Sequence, residues 1–335
     1  MQYYKVLNNN TIECLLCRHH CHIKEGKTGI CGVNKNENNQ LKNLVYNHPS
    51  ALNIDPIEKK PLYHVLPGSQ VLSIGTVGCN FKCPFCQNWQ ISQTNEINSE
   101  IGELTPYDMM NIVAKYRCDG VAYTYNEPSI FYPYAKDIGE LVALKGALNI
   151  FVTNGYESIE EIEDMDWIDA ANIDLKSFNP EYYKKVLKGN LDSVLDTIKR
   201  MYEKGIWIEI TTLLIEGIND SEEELNKMAK FISSISVDIP WHLSAFHPDY
   251  QMLNTPPTQL TTLQKAYKIA KSHGLRYVYF GNVDMADITF CPECNEKLVI
   301  RDRFKVLENK ITKDNCCPKC NTKIAGIWKK KNPFH

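Results

Sequence analysis

The loop Gly78-Cys79-Asn80-Phe81-Lys82-Cys83-Pro84-Phe85-Cys86 crowds three thiols into one short stretch, directly after the apolar run Val71 to Val77. Thiolates this close can wrap a single iron–sulfur cube and supply three of the four ligands its irons need. One iron then keeps an open position, the feature that separates a reacting metal from a structural one. Phe81, Phe85 and Trp89 stand where they can shelter such a cluster from water, and burial is one lever on its reduction potential. The plainer alternative, a zinc knuckle, wants a fourth Cys or His nearby, and no such residue follows Cys86 until Cys118.

Two further cysteine groups flank this loop. Near the start, Cys14, Cys17, Cys21 and Cys31 are interleaved with His19, His20 and His22. Their spacing suits one metal centre. Zinc, with four thiolates or a mixed Cys/His set, is the first choice, and a second iron–sulfur cube with no open iron is the other. Near the end, Cys291 and Cys294 are separated by 22 residues from Cys317 and Cys320. Two Cys-x2-Cys knuckles are a zinc-ribbon signal, expected to form a closed structural site. Cys118 and Cys316 are left over, with Cys118 read as a small buried apolar residue.

The elements that must position these groups follow from periodicity. Short apolar runs at Val71 to Val77, Gly120 to Tyr125, Leu148 to Thr153, Ala170 to Leu175, Trp207 to Ile215, Trp241 to Phe246 and Leu275 to Phe280 read as buried strands. Helices lie between them. Thr105 before Pro106 is a helix start, and Ser158 with Glu161 and Ser221 with Glu224 read as capping boxes. Val194, Leu195, Ile198, Met201 and Tyr202 line one helix face, and Leu263, Ala266, Tyr267 and Ala270 another. Strict alternation implies a parallel sheet, here an open or partial barrel whose reacting groups gather at the carboxyl ends of the strands. Asn126, Glu127, Asn154, Asp174, Lys176 and His247 all fall at such ends. The stretch from about Asn34 to Asn47 reads as surface loop or short hairpin, and Asp55 to His64 as an irregular connector in which His64 packs structurally. The chain thus divides into a Cys-rich extension over 1–69, an α/β unit over 70–287 and a ribbon-like tail over 288–335.

Composition sets the class. The chain has 335 residues, 43% hydrophobic and 23% charged, an ordinary globular balance. A formal charge of −3 gives no general pull toward nucleic acid, and Lys329, Lys330 and Lys331 read as a solvated end. Thirteen cysteines in short-spaced groups read as metal ligands rather than disulfides. The residues from Met1 to Asn10 lack the apolar core of a signal peptide, and no run approaches a membrane span. A cytoplasmic, reduced and oxygen-sensitive protein is expected.

The Cys-x3-Cys-x2-Cys spacing, with Phe85 before the last cysteine, resembles the radical S-adenosylmethionine (SAM) superfamily. Further matching text is Cys14 to Cys17, Asp55 to His64, Gly78 to Trp89, Tyr123 to Pro128, Val152 to Gly155, Ile173 to Lys176 and Pro248 to Tyr250. Together these resemble the branch that activates glycyl-radical enzymes, and within it the radical SAM enzyme of the AmmeMemoRadiSam system. The resemblance implies a partial (β/α)6-type radical SAM barrel. It also implies a 4Fe–4S cluster on Cys79, Cys83 and Cys86, and SAM held through residues including Phe85, Glu127, Asp174, Lys176 and His247. A reductant such as flavodoxin or ferredoxin follows from the same likeness. Two departures stand out. Asn126-Glu127-Pro128 occupies the place of a Gly-Gly-Glu-Pro motif, and Val152 the place of an Asp that helps bind a monovalent cation beside SAM.

The expected function is therefore reductive cleavage of SAM to a 5'-deoxyadenosyl radical, which takes hydrogen from an unidentified substrate. That substrate is either handled alongside the other AmmeMemoRadiSam proteins or is a glycine in a partner protein. The rival is a non-enzymatic zinc scaffold, which accounts for the terminal groups but not for the open three-cysteine loop.

Overall fold

In the computed structural model, which describes residues 2–7, 10–97 and 100–330, the chain opens with short antiparallel pieces. Strands β1 (Tyr4–Val6), β2 (Thr11–Cys14) and β3 (His22–Lys24) form one sheet, and β4 (Asn34–Glu37) with β5 (Gln40–Asn43) form a hairpin. The hairpin agrees with the Asn-rich reading, but its inner face is not surface. Asn34 and Asn36 are buried, their amides donating to Ile130 O and Ile23 O, each at 2.8 Å. Buried amides are tolerated because each finds a carbonyl.

The central sheet begins with a strand that the sequence pattern did not reveal. β6 (Ala51–Pro56) runs antiparallel to β7 (Gln70–Gly75), so the main sheet takes in residues before 70 and Asp55 and Pro56 end a strand. A proline is accommodated there because β6 is an edge strand. The other strands match the seven apolar runs. After β7 come β8 (Gly120–Tyr123), β9 (Leu148–Thr153), β10 (Ala170–Asp174), β11 (Trp207–Leu214), β12 (Trp241–Ala245) and β13 (Val278–Gly281). From β7 to β13 each strand pairs in parallel with the next, in chain order.

The crossovers are helical: α1 (Trp89–Ser92) and α2 (Pro106–Tyr116) after β7, α3 (Tyr132–Ala143) after β8, and α4 (Ile159–Glu163) after β9. Then come α5 (Pro180–Tyr182) and α6 (Leu191–Glu203) after β10, α7 (Glu222–Ile235) after β11 and α8 (Leu260–Ser272) after β12. Six β/α units thus precede β13, and the result is an open α/β sheet. Val194, Ile198 and Met201 of α6 and Leu263, Ala266 and Ala270 of α8 are buried as their spacing predicts, whereas Tyr202 and Tyr267 turn out to solvent. The reciprocal capping box closes at Thr105 and Asp108. Ser221 caps α7 through Glu224 N, but the Glu224 carboxylate accepts instead from Ser177 Oγ and Phe178 N.

After β13 the chain enters a three-stranded antiparallel tail sheet, β14 (Ala286–Phe290), β15 (Lys297–Asp302) and β16 (Lys305–Asn309). Polar groups buried at the amino end of the central sheet fasten it. Arg301 donates to Thr289 Oγ1 at 3.0 Å and to Tyr63 O at 2.5 Å, and lies 3.7 Å from Glu58. His64 has the structural role expected of it, held between Ala325 O and the Tyr279 hydroxyl at 2.7 Å each. Among the described residues no helix is long and apolar enough to cross a membrane. Lys330 pairs with Asp119; Met1, Asn8, Asn9 and Lys331 lie outside the described residues.

Glu209 on β11 anchors this end. Fully buried, it accepts from Tyr63 N (3.0 Å), His64 N (2.8 Å), Trp207 Nε1 (3.2 Å) and His242 Nε2 (2.6 Å). Burial alone would raise its carboxyl, but the bond and charge of His242 outweigh that and hold it below the ordinary range. Glu209→Ala strands these donors, so we expect a loss of about 3–5 kcal/mol, read as an earlier denaturant midpoint, with Glu209→Gln losing less.

Candidate functional site

All of the chemistry-bearing loops open on one edge of the parallel sheet because parallel strands all end on the same side. There a cavity of about 730 Å³ is lined by Cys79, Cys83, Cys86, Phe85, Asn126, Glu127, Asn154, Asp174 and Lys176, with contributions from β11, β12 and the tail. This volume is that of a small-molecule site, for which roughly 300–1,000 Å³ is usual. Of the residues expected to hold the cluster or SAM, His247 is the one not brought in; it is exposed, its Nε2 3.0 Å from Asn282 O.

The thiol loop is held by its surroundings more than by itself. Gly78 N donates to Ile91 O at 2.9 Å and Lys82 N to Leu187 O at 3.1 Å. Gly78 sits at φ +87°, and a Cβ there would come within 2.6 Å of Cys31 O, so only glycine fits. Asn126 braces the loop from β8: its Nδ2 donates to Gly78 O (2.8 Å) and Thr76 Oγ1 (3.0 Å), and Thr76 N donates to its Oδ1 (3.1 Å). Asn126 is therefore occupied in shaping the cluster loop. Phe81 and Phe85 are buried as expected, whereas Trp89 is half-exposed and stacks on Tyr250 at 5.3 Å. Burial pushes the Cys83 thiol up to about 11, against the pull of the nearby Lys176 ammonium. Cys86 Sγ lies 3.1 Å from Ser92 Oγ.

Glu127 is also engaged. It accepts from Ser129 N (3.1 Å) and Asn154 N (2.8 Å) and meets the Thr153 hydroxyl (3.0 Å), tying the ends of β8 and β9 together. Thr153 also bonds Glu157 closely. One hydroxyl has a single proton for two carboxyls, so the pair must retain a proton of its own. Burial and the neighbouring Glu127 accordingly push Glu157 upward, and burial pushes Glu161 beside them well above the ordinary carboxylate range. Sequence reasoning missed Thr153, Glu157 and Glu161 in this role, because helix-start carboxylates ordinarily face solvent.

Among the described residues, three that line the cavity carry a buried polar atom with no protein partner: Asn154 Oδ1, Thr211 Oγ1 and Glu58 Oε2. Buried groups of this kind are costly unless satisfied, so they mark where a polar ligand fits. Asn154 Nδ2 is fixed on Asn80 Oδ1 at 2.7 Å, which aims its oxygen. Asp174 and Lys176 form a 2.6 Å pair, not a surface one: Lys176 is largely buried and lies 5.9 Å from the Phe85 ring. The cavity lining also includes a residue outside the expected set, Lys60. It is buried, 2.7 Å from Asp55 and 4.6 Å from the Tyr125 ring.

The tail thiols are arranged differently. Cys291, Cys294, Cys317 and Cys320 lie within 4.8 Å of one another, with Sγ–Sγ distances of 3.5 Å for Cys291–Cys320 and 3.6 Å for Cys294–Cys317. A tetrahedral ion with metal–sulfur bonds of about 2.3 Å spaces its ligands by about 3.8 Å, so the four could hold one.

Three thiols and a cavity thus share the carboxyl edge of a parallel α/β sheet. The chain belongs to the radical SAM superfamily, whose family model matches residues 73–232, and that membership implies SAM and a 4Fe–4S cluster. An uncharacterized protein of Methanocaldococcus jannaschii is 39% identical over 96% of this chain and 97% of its own length. The pyruvate formate-lyase-activating enzyme of Staphylococcus epidermidis is 23% identical over 59% of this chain and 88% of its own. Among solved structures, a radical SAM methyltransferase from Sphaerobacter thermophilus matches with a TM-score of 0.50 and 14% identity, over 65% of this chain and 68% of that one.

Gly78→Ala should separate loop geometry from general strain. Gly102 has a similar φ of +82° but open space around it. Each Ala variant pays about 1–2 kcal/mol for the left-handed backbone. Gly78→Ala alone should lose bound iron, measured per chain after anaerobic purification, while Gly102→Ala retains it.

Proposed function

We propose that this protein binds a 4Fe–4S cluster on Cys79, Cys83 and Cys86 and cleaves SAM reductively, using the radical to take hydrogen from a substrate in the same cavity. The observation that carries the reading is the three-thiol loop opening on a cavity whose wall bears unsatisfied polar atoms. Cluster and SAM together, once reduced by a flavodoxin- or ferredoxin-type donor, supply a 5'-deoxyadenosyl radical. The chain's own part is to hold and orient. Lys176 offers its ammonium to a carboxylate, while Asp174 keeps it charged inside the protein. Asn154 Oδ1 and Thr211 Oγ1 accept from donors of the bound cofactor. Phe81 and Phe85 keep water from the cluster loop, and the tail quartet holds a structural zinc.

Within this class the AmmeMemoRadiSam-type reading is favoured over activation of a glycyl-radical partner. Likeness to the archaeal relative runs through both Cys-rich ends, whereas likeness to the activating enzyme covers 59% of the chain. The tail also supplies Met285, Asp287, Arg303 and Phe304 to the cavity wall, so the substrate meets a surface built partly by that extension.

Anaerobically reconstituted, reduced protein should form 5'-deoxyadenosine from SAM, and Cys83→Ala should form none. Absence of product from fully iron-loaded wild type would overturn the reading. Val152 lines the cavity where activating enzymes are expected to carry Asp, and valine offers a cation no oxygen ligand. Replacing potassium by tetramethylammonium should therefore change the rate by less than about twofold; strong potassium stimulation would contradict this.

A further inference from the structure

The N-terminal cysteines form a compact site that the proposed chemistry leaves unused. Cys14 and Cys21 face each other where β2 and β3 separate, with Cys14 N donating to Cys21 O at 2.9 Å. Cys17 sits in the turn between them and Cys31 in the loop that follows. All four are free thiols, and Cys14, Cys17 and Cys31 are at least nine-tenths buried. The turn is firmly seated. Arg18 N donates to Tyr156 O (2.9 Å), Arg18 Nε to Glu157 O (2.7 Å), and Ser158 Oγ to Leu15 O (2.5 Å).

Buried Asn34 directs its amide at Cys31 Sγ, 3.6 Å away. The nearby histidines are occupied elsewhere: His19 Nε2 lies 3.0 Å from Asn80 O, and His20 and His22 face Glu13 at 3.6 and 4.0 Å.

Spacing chooses the metal. Among the described residues, the tail quartet draws its sulfurs within 4.8 Å of one another, as a single ion needs. Neither the N-terminal four nor the Cys79, Cys83, Cys86 trio is gathered into such a single-ion group. A cube of irons and sulfides stands between its cysteine sulfurs and holds them farther apart than one ion can. We infer that Cys14, Cys17, Cys21 and Cys31 bind a second 4Fe–4S cluster, coordinatively closed, rather than zinc. The comparison with the trio rests on reading that loop as a cluster site. The second centre would sit against the first: Cys31 O packs on Gly78, and His19 reaches Asn80 between Cys79 and Cys83.

The test is metal content per chain in protein produced and purified without oxygen. Wild type should hold about eight irons and one zinc, and the Cys79→Ala/Cys83→Ala/Cys86→Ala triple variant about four irons. The Cys14→Ala/Cys17→Ala variant should retain about four, with Cys21→Ala at the part-exposed edge as the substitute if that variant does not fold. About four irons with two zincs in wild type, or a folded triple variant without iron, overturns the inference. An iron-loaded triple variant beside an iron-free, folded N-terminal variant would instead support it and remove the reading of the Cys79 loop.

Discussion

A buried thiolate is tolerated only where something opposes its charge, and this constraint organises the molecule. Eleven of the thirteen cysteines fall into three groups, of four, three and four, none of them in a disulfide. Around the first two groups the loops are pinned by hydrogen bonds from distant parts of the chain. Asn126 reaches across from β8 to hold Gly78, and the N-terminal turn is tied to the loop after β9. Such long-range fastening makes sense if the loops must present sulfur at fixed spacing. The same hydrogen bonds would be wasted on free thiols, which pack as small apolar groups.

The parallel sheet supplies the other half of the design. Strand ends placed side by side collect one polar residue per loop into a shared mouth, without any loop needing to be long. Burial then changes what those residues do. Asp174 and Lys176 could have formed a weak surface pair; in the cavity wall Asp174 instead fixes the Lys176 ammonium near Cys83. Glu127, Glu157 and Thr153 form a buried carboxylate cluster behind the site, whose retained protons keep net charge low beside sulfur.

Much of this was legible in the residues. The seven parallel strands showed as apolar runs, because a strand covered on both faces needs apolar side chains throughout. The thiol groups showed as spacing. What could not be read were relations set by the third dimension. β6 carries Asn53, Asp55 and Pro56, the composition of an irregular connector, and becomes a strand only because β7 offers it an edge. Asn34 and Asn36 look like surface residues until their carbonyl partners are known. Lys60 gave no local signal, since its burial depends on Asp55 and Tyr125. His247 had the right place at a strand end, yet its side chain turns to Asn282.

The central claim is that the Cys79, Cys83, Cys86 loop carries a cluster with one iron free to bind SAM. It is tested most directly by the electron paramagnetic resonance spectrum of the reduced protein before and after SAM is added. If the iron is open, SAM becomes its ligand, and the signal contributed by that cluster should change shape and g values. A spectrum that is identical with and without SAM, from protein shown to be iron-loaded and reduced, would contradict the account.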